Sequence, residues 1–115
     1  MSKNVKNKTA DTVEELTSDM RGLWLVVTQG SRHIWDLETH PPGYVRVPGP
    51  QSLSGAFPMD RQLVRLSRVG RWPKIGGTSL VFFDVPDDPM KEYWRQSSAI
   101  ARIERLPDPR FEDCL

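Results

Sequence analysis

The sequence predicts an all-β domain, a single small antiparallel barrel or two-sheet sandwich of about six strands. Three observations carry that expectation. Glycine and proline supply 18 of 115 residues, a high share for a helical bundle and an ordinary one for short strands joined by tight turns. Runs of β-branched and aromatic residues recur at regular spacing between turn signals. Helix signal is confined to residues 1–20.

The elements follow in order. Residues 23–29, Leu-Trp-Leu-Val-Val-Thr-Gln, read as the first strand. Gly30-Ser31 is a hairpin signal, and residues 32–37 form the return strand. Pro41-Pro42-Gly43 turns the chain into a third strand over 44–47, which Pro48-Gly49-Pro50 ends because proline cannot continue a ladder. Residues 48–60 are a loop whose Leu53, Phe57 and Met59 lid the core. The fourth strand covers 62–69, with Val64 and Leu66 alternating against Arg65 and Ser67. Residues 79–85 are apolar on both faces and read as the central, most buried strand. Pro86-Asp87-Asp88-Pro89 is a turn. The last extended stretch runs from Trp94 to Ile103, with a bulge near Ser98 where the apolar set shifts register. Residues 107–115 are a polar tail.

Residues 1–20 read as a flexible leader, disordered before Thr12 for want of anything to bury. Thr12-Val13-Glu14-Glu15 is a capping-box pattern that predicts a short helix over 13–20. Such a helix is too short to stand alone and forms only by docking. The leader lacks the apolar run of a signal peptide, and no window resembles a membrane span. A reducing, cytoplasmic location is expected, in keeping with the lone thiol, Cys114.

A resemblance rests on the β residues. The strand Leu23-Trp24-Leu25-Val26 leads to Thr28-Gln29-Gly30-Ser31, and the return strand ends in Asp36-Leu37. A Tyr-Val-Arg-Val-Pro strand, a charged Arg-Leu-Val-Arg-Leu strand and an apolar Val-Phe-Phe strand follow. Trp94-Arg95-Gln96-Ser97-Ser98-Ala99-Ile100 and Ile103-Glu104 close the chain. Over residues 22–106 this resembles a group of small, uncharacterised β-rich proteins of actinobacteria and their phages. It departs from them at His33, where tyrosine is usual, and at Ala99, where proline often sits. The resemblance implies phage descent and no known activity.

Catalysis finds few candidates. His33 lies at period two with Trp35 and Leu37 and faces inward, while His40 precedes Pro41 in a solvated turn. With Asp36 they lack a metal-ligand spacing and a fourth ligand. Ser97 and Ser98 have no base placed beside them by sequence, and no nucleophile elbow or phosphate loop occurs. Cys114 follows Glu112 and Asp113, which raise a thiol pKa. The chain reads as a non-enzyme, without cofactor or metal.

Net charge is +1, so no global field draws nucleic acid or membrane. Charge is uneven, however. Arg61, Arg65, Arg68, Arg71 and Lys74 form a basic 61–74 strip, and Asp84, Asp87, Asp88 and Glu92 an acidic segment after it. Arg71-Trp72 and Tyr93-Trp94-Arg95 set aromatic and arginine side by side, the residue types that dominate protein interfaces. The expected function is protein binding through these two clusters, with Trp72 as an exposed anchor. The alternatives are nucleic-acid binding by the basic strip and a small ligand held in a barrel mouth. An exposed edge strand also offers self-association.

Overall fold

The computed structural model describes residues 11–49, 59–85 and 87–107. They form seven strands: β1 Leu23–Thr28, β2 Ser31–Asp36, β3 Gly43–Pro48, β4 Val64–Arg71, β5 Leu80–Val85, β6 Asp88–Gln96 and β7 Ile100–Leu106. All pair antiparallel in one sheet of order β6-β5-β4-β3-β2-β1-β7. The all-β expectation holds.

The ladders are unequal. Strands β7, β1, β2 and β3 pair along nearly their full lengths. Between β3 and β4 the register holds only Gly43↔Arg65 and Tyr44↔Val64. The sheet is therefore two lobes, β7-β1-β2-β3 and β4-β5-β6, joined at a narrow waist. It also coils. β6 and β7 lie at opposite edges, yet only residues 97–99 connect them, a length that reaches at most about 14 Å. The two edges share no ladder, so the barrel is not closed.

The seam between them is stitched from elsewhere. The Gly76 N–H donates to Ile100 O at 2.9 Å, and the Ile100 N–H to Gly77 O at 2.8 Å. Gly76 has φ of 87°, a left-handed conformation that glycine adopts freely. Residues 11–16 cross the same seam. Val13 N–H bonds Ile103 O, Leu16 N–H bonds Pro73 O, and Ile75 N–H bonds Glu14 O. Leu16 is wholly buried.

One core fills the space inside the coil. Alternation in β1 and β2 sends Trp24, Val26 and Thr28, then Ser31, His33 and Trp35, inward. They meet Tyr44, Leu66, Val81, Phe83, Ile100 and Ile103. Full burial of one large apolar side chain is worth about 1.5–3 kcal/mol, and both lobes share these contacts.

Several expectations are corrected. Residues 13–20 are not a helix: residues 12–20 form two isolated bridges, Thr12↔Glu104 and Glu15↔Lys74, and a turn. Backbone pairing across the open seam satisfies more groups than an isolated turn of helix can. The last extended stretch is two strands, β6 and β7, with a corner between them. There Ser97 Oγ takes the Ser79 N–H at 2.8 Å and donates to Ser98 O at 2.8 Å. Seven strands thus replace six, and the ladder irregularity lies at Val27/Thr28 opposite Ile100. β6 begins at Asp88, inside the segment expected to be a turn. β5 is not the most buried strand, because its outward Leu80 and Phe82 are only half-buried. Met59 packs against the core as expected; Leu53, Phe57, residues 1–10 and residues 108–115 lie outside the described residues.

Candidate functional site

The second lobe carries the candidate surface. Its strand β4 contains two bulges, between Leu66 and Arg68 and between Val69 and Arg71. Residues three apart face opposite ways in a regular strand. Each bulge inserts one residue and restores the phase, so Arg65, Arg68 and Arg71 are all exposed while Leu66 stays buried. At the second bulge a Cβ on Gly70 would lie 2.9 Å from Leu80 Cδ2 and 3.0 Å from Phe82 Cε1, which is why that position lacks a side chain.

Registers across the lobe set Arg68 beside Phe82 and Phe82 beside Trp94. The Arg68 guanidinium sits 3.6 Å above the Phe82 ring centre. It also bonds Glu92 at 3.2 Å, and Ser67 Oγ donates to the same carboxylate at 2.6 Å. These two donors, Ser67 first, hold the Glu92 carboxyl below its ordinary pKa. The outer face is therefore an arginine–aromatic stripe with its own acid, rather than a purely basic strip. Arg61 and Lys74 leave that strand face: Arg61 lies in the turn before β4, and Lys74 in the loop after it.

Strand β6 is an edge, paired with β5 alone among the described strands. Met90 is 90% exposed and Trp94 61%. Tyr93 and Arg95 point the other way and are half-buried. Arg95 lies 5.4 Å from the Phe83 ring centre and 5.6 Å from that of Tyr93. Burial pulls its pKa down, opposed by Asp60 and Tyr44. An open groove of about 610 Å³ follows the edge, lined by Glu92, Tyr93, Trp94, Arg95, Gln96 and Ser97.

The two aromatic–arginine clusters are not one site. Trp72 is not the exposed anchor expected from its flanking charges. It is half-buried against the core, its ring 5.5 Å from that of Trp35. The next residue is tied to the seam, where Pro73 O accepts the Leu16 N–H at 2.9 Å. Arg71 stays exposed and donates to Thr78 Oγ1 at 2.8 Å.

Sequence reasoning missed a buried polar chain in the first lobe. Ser31 Oγ lies 2.8 Å from His33 Nε2, and His33 Nδ1 lies 2.6 Å from the Tyr44 hydroxyl. Thr28 Oγ1 joins Ser31 at 3.1 Å. Burial, with Arg46 nearby, lowers the His33 pKa to about 4, so the ring is neutral near pH 7. Burial also raises Tyr44. Serine beside a neutral histidine has the composition of a nucleophile and base. Both are shut inside the core, and the second ring nitrogen faces a phenol rather than a carboxylate, so the arrangement serves to satisfy buried polar atoms. Next to it, Arg46 and Asp60 form a buried ion pair at 2.6 Å. Met59 and Arg61 both have positive φ, 71° and 65°, and this tight reversal delivers the Asp60 carboxylate inward. Period-two placement of Ser31, His33 and Trp35 was the visible signal for the chain; nothing local signalled a pair 14 residues apart.

Among the described residues no cluster of His, Cys, Asp or Glu is arranged to hold a metal, and no helix is long and apolar enough to cross a membrane. Comparison with protein-family models, with curated proteins and with solved structures finds no match.

Proposed function

We propose that the chain is a non-catalytic, cytoplasmic binding protein of phage descent that takes a protein partner along the open edge of β6. One observation carries this reading: an edge strand with a lined groove beside it and a tryptophan 61% exposed in its C-terminal half. An unpaired edge offers main-chain hydrogen bonds to an incoming strand, and tryptophan flanked by tyrosine and arginine supplies the anchor chemistry of interface hot spots. The alternating donors and acceptors of a sheet edge match those of another strand. On the outer face Arg68 and Arg71 are already engaged by Glu92 and Thr78, which favours the protein partner over a phosphate backbone. The core is filled by Trp35, Leu66, Ile103, Val26 and Val81, and no observation favours a small ligand there.

Affinity capture from nuclease-treated host lysate at low and high salt tests the proposal, with wild type, Trp94→Lys and an Arg65/Arg68/Arg71→Ser triple variant side by side. Retained protein should survive nuclease and salt, vanish with Trp94→Lys and persist with the triple variant. Retention that collapses with salt or nuclease, and with the arginine variant, is the signature of phosphate contacts and overturns it.

A further inference from the structure

We infer that the edge of β6 pairs with the same edge of a second copy of this chain, antiparallel, about a two-fold axis at Trp94. The inference rests on the reading of β6 as the binding edge and names its occupant. Two observations carry it: which backbone groups face outward, and how the charges fall when the strand meets itself.

The first follows from strand alternation. The Ser97 N–H is spent on Ser79 O, toward β5. In an antiparallel strand both backbone groups of a residue point to one side, and successive residues alternate. Glu92, Trp94 and Gln96 therefore turn their N–H and C=O to the open side. Trp94 O accepts the Arg95 guanidinium at 3.0 Å on that side, and a carbonyl keeps a second lone pair for another donor.

The second is a matter of register. A two-fold axis places residues symmetric about its centre opposite one another on the same face. Centred on Trp94, the pairing sets Glu92 opposite Gln96, Tyr93 opposite Arg95, Lys91 opposite Ser97 and Trp94 opposite itself. No like charges meet. The other centres fail: on Met90, Asp88 faces Glu92; on Lys91, Glu92 or Arg95, that residue faces its own copy; on Tyr93, Lys91 faces Arg95; on Gln96, where the strand ends, half of the pairing falls beyond β6. Like charges directly opposite are destabilising. In the Trp94 register, Glu92/Gln96 and Trp94/Trp94 are the pairs that exchange both backbone hydrogen bonds. Each Tyr93 ring meets an arginine, a favourable cation–π pair. Pro89, which has no N–H to give, falls outside the paired stretch. The groove covers Glu92 to Ser97, within that stretch.

The test has two arms on the full-length chain. Sedimentation equilibrium of the wild type across the micromolar range should show reversible dimerisation, weakened at least about tenfold by Trp94→Lys, which removes a hot spot and sets a charge against itself. For the register, Cys114→Ser removes the native thiol. Glu92→Cys and Gln96→Cys variants are then oxidised separately and mixed. Opposed residues lie about 5.5 Å apart between Cα atoms, within disulfide reach. The mixture should give a covalent dimer and each variant alone should not. A wild type that stays monomeric overturns the inference, as does cross-linking of Glu92→Cys with itself. Monomer together with Trp94-dependent, salt-resistant lysate capture defeats the self-pairing alone; loss of both defeats the β6 site.

Discussion

The two lobes are built from similar lengths of chain and differ in what holds them. In β7-β1-β2-β3 each inner strand is paired on both sides, the inward residues are almost wholly buried, and residues 11–16 cover the outer edge of β7. In β4-β5-β6 two bulges break one ladder, a third irregularity lies at Asp84/Val85, and the outer edge is bare among the described residues. An edge strand invites pairing unless something covers or blunts it. Residues 11–16 cover one edge, and among the described residues the other stays open with a tryptophan on it. On the proposed reading, stability resides mainly in the first lobe and recognition in the second.

Substitutions can break that division. The largest effect is expected from Trp35→Ala, since this ring is fully buried and meets both Tyr44 and Trp72. Removing it should cost about 3–5 kcal/mol in urea unfolding. Next comes Leu16→Ala in the covering segment. If the segment is part of the core, the loss is about 2–5 kcal/mol. A loss below about 0.5 kcal/mol, ordinary for surface positions, would show the segment to be an ornament on a self-sufficient sheet.

The pH effect of the histidine range belongs to the first lobe. His33 has a folded pKa of about 4, against about 6.5 for an unperturbed histidine. Between these values the unfolded chain takes up a proton that the folded chain refuses. Stability is therefore complete above about pH 6.5 and falls as pH drops toward 4, by on the order of 3 kcal/mol in all. His33→Gln should flatten that part of the urea-midpoint profile relative to wild type. An unchanged profile would mean that His33 takes up its proton equally in both states. The smallest effect is expected from Trp94→Ala, below about 1 kcal/mol in stability, with its consequence confined to association.

What the sequence revealed and concealed follows the same division. The first lobe was legible because its signals are local: Gly30-Ser31 closes a hairpin, and period-two apolar residues face one core. The second lobe was harder because bulges break that period. Arg65, Arg68 and Arg71 read as a basic run, and only the two inserted residues put them on one face. Pro89 disguised the start of β6 as a turn, which edge strands tolerate. Trp72 was misjudged because its charged neighbours Arg71 and Lys74 are exposed while the ring between them turns inward. The capping box at Thr12 is a genuine local preference, overridden by pairing with β7 and with the loop after β4. Trp94, by contrast, was grouped with Tyr93 and Arg95 as one binding cluster; alternation exposes the tryptophan and turns the other two the opposite way. The buried Arg46–Asp60 pair lay beyond local reasoning, since the loop between them must first fold back.

Residue-resolved amide hydrogen exchange, run on the full chain at low and at high protein concentration, tests the division of labour most directly. Buried, doubly paired strands exchange only through near-global unfolding, whereas open edges exchange locally. In dilute solution the amides of β1 and β2 should reach the global limit, and those of Glu92, Trp94 and Gln96 should exchange faster than the Tyr93 and Arg95 amides that face β5. At high concentration these three should gain protection while β1 and β2 do not change. Uniform protection of β6 in dilute solution, or protection that appears with concentration at β7 instead, would contradict the account.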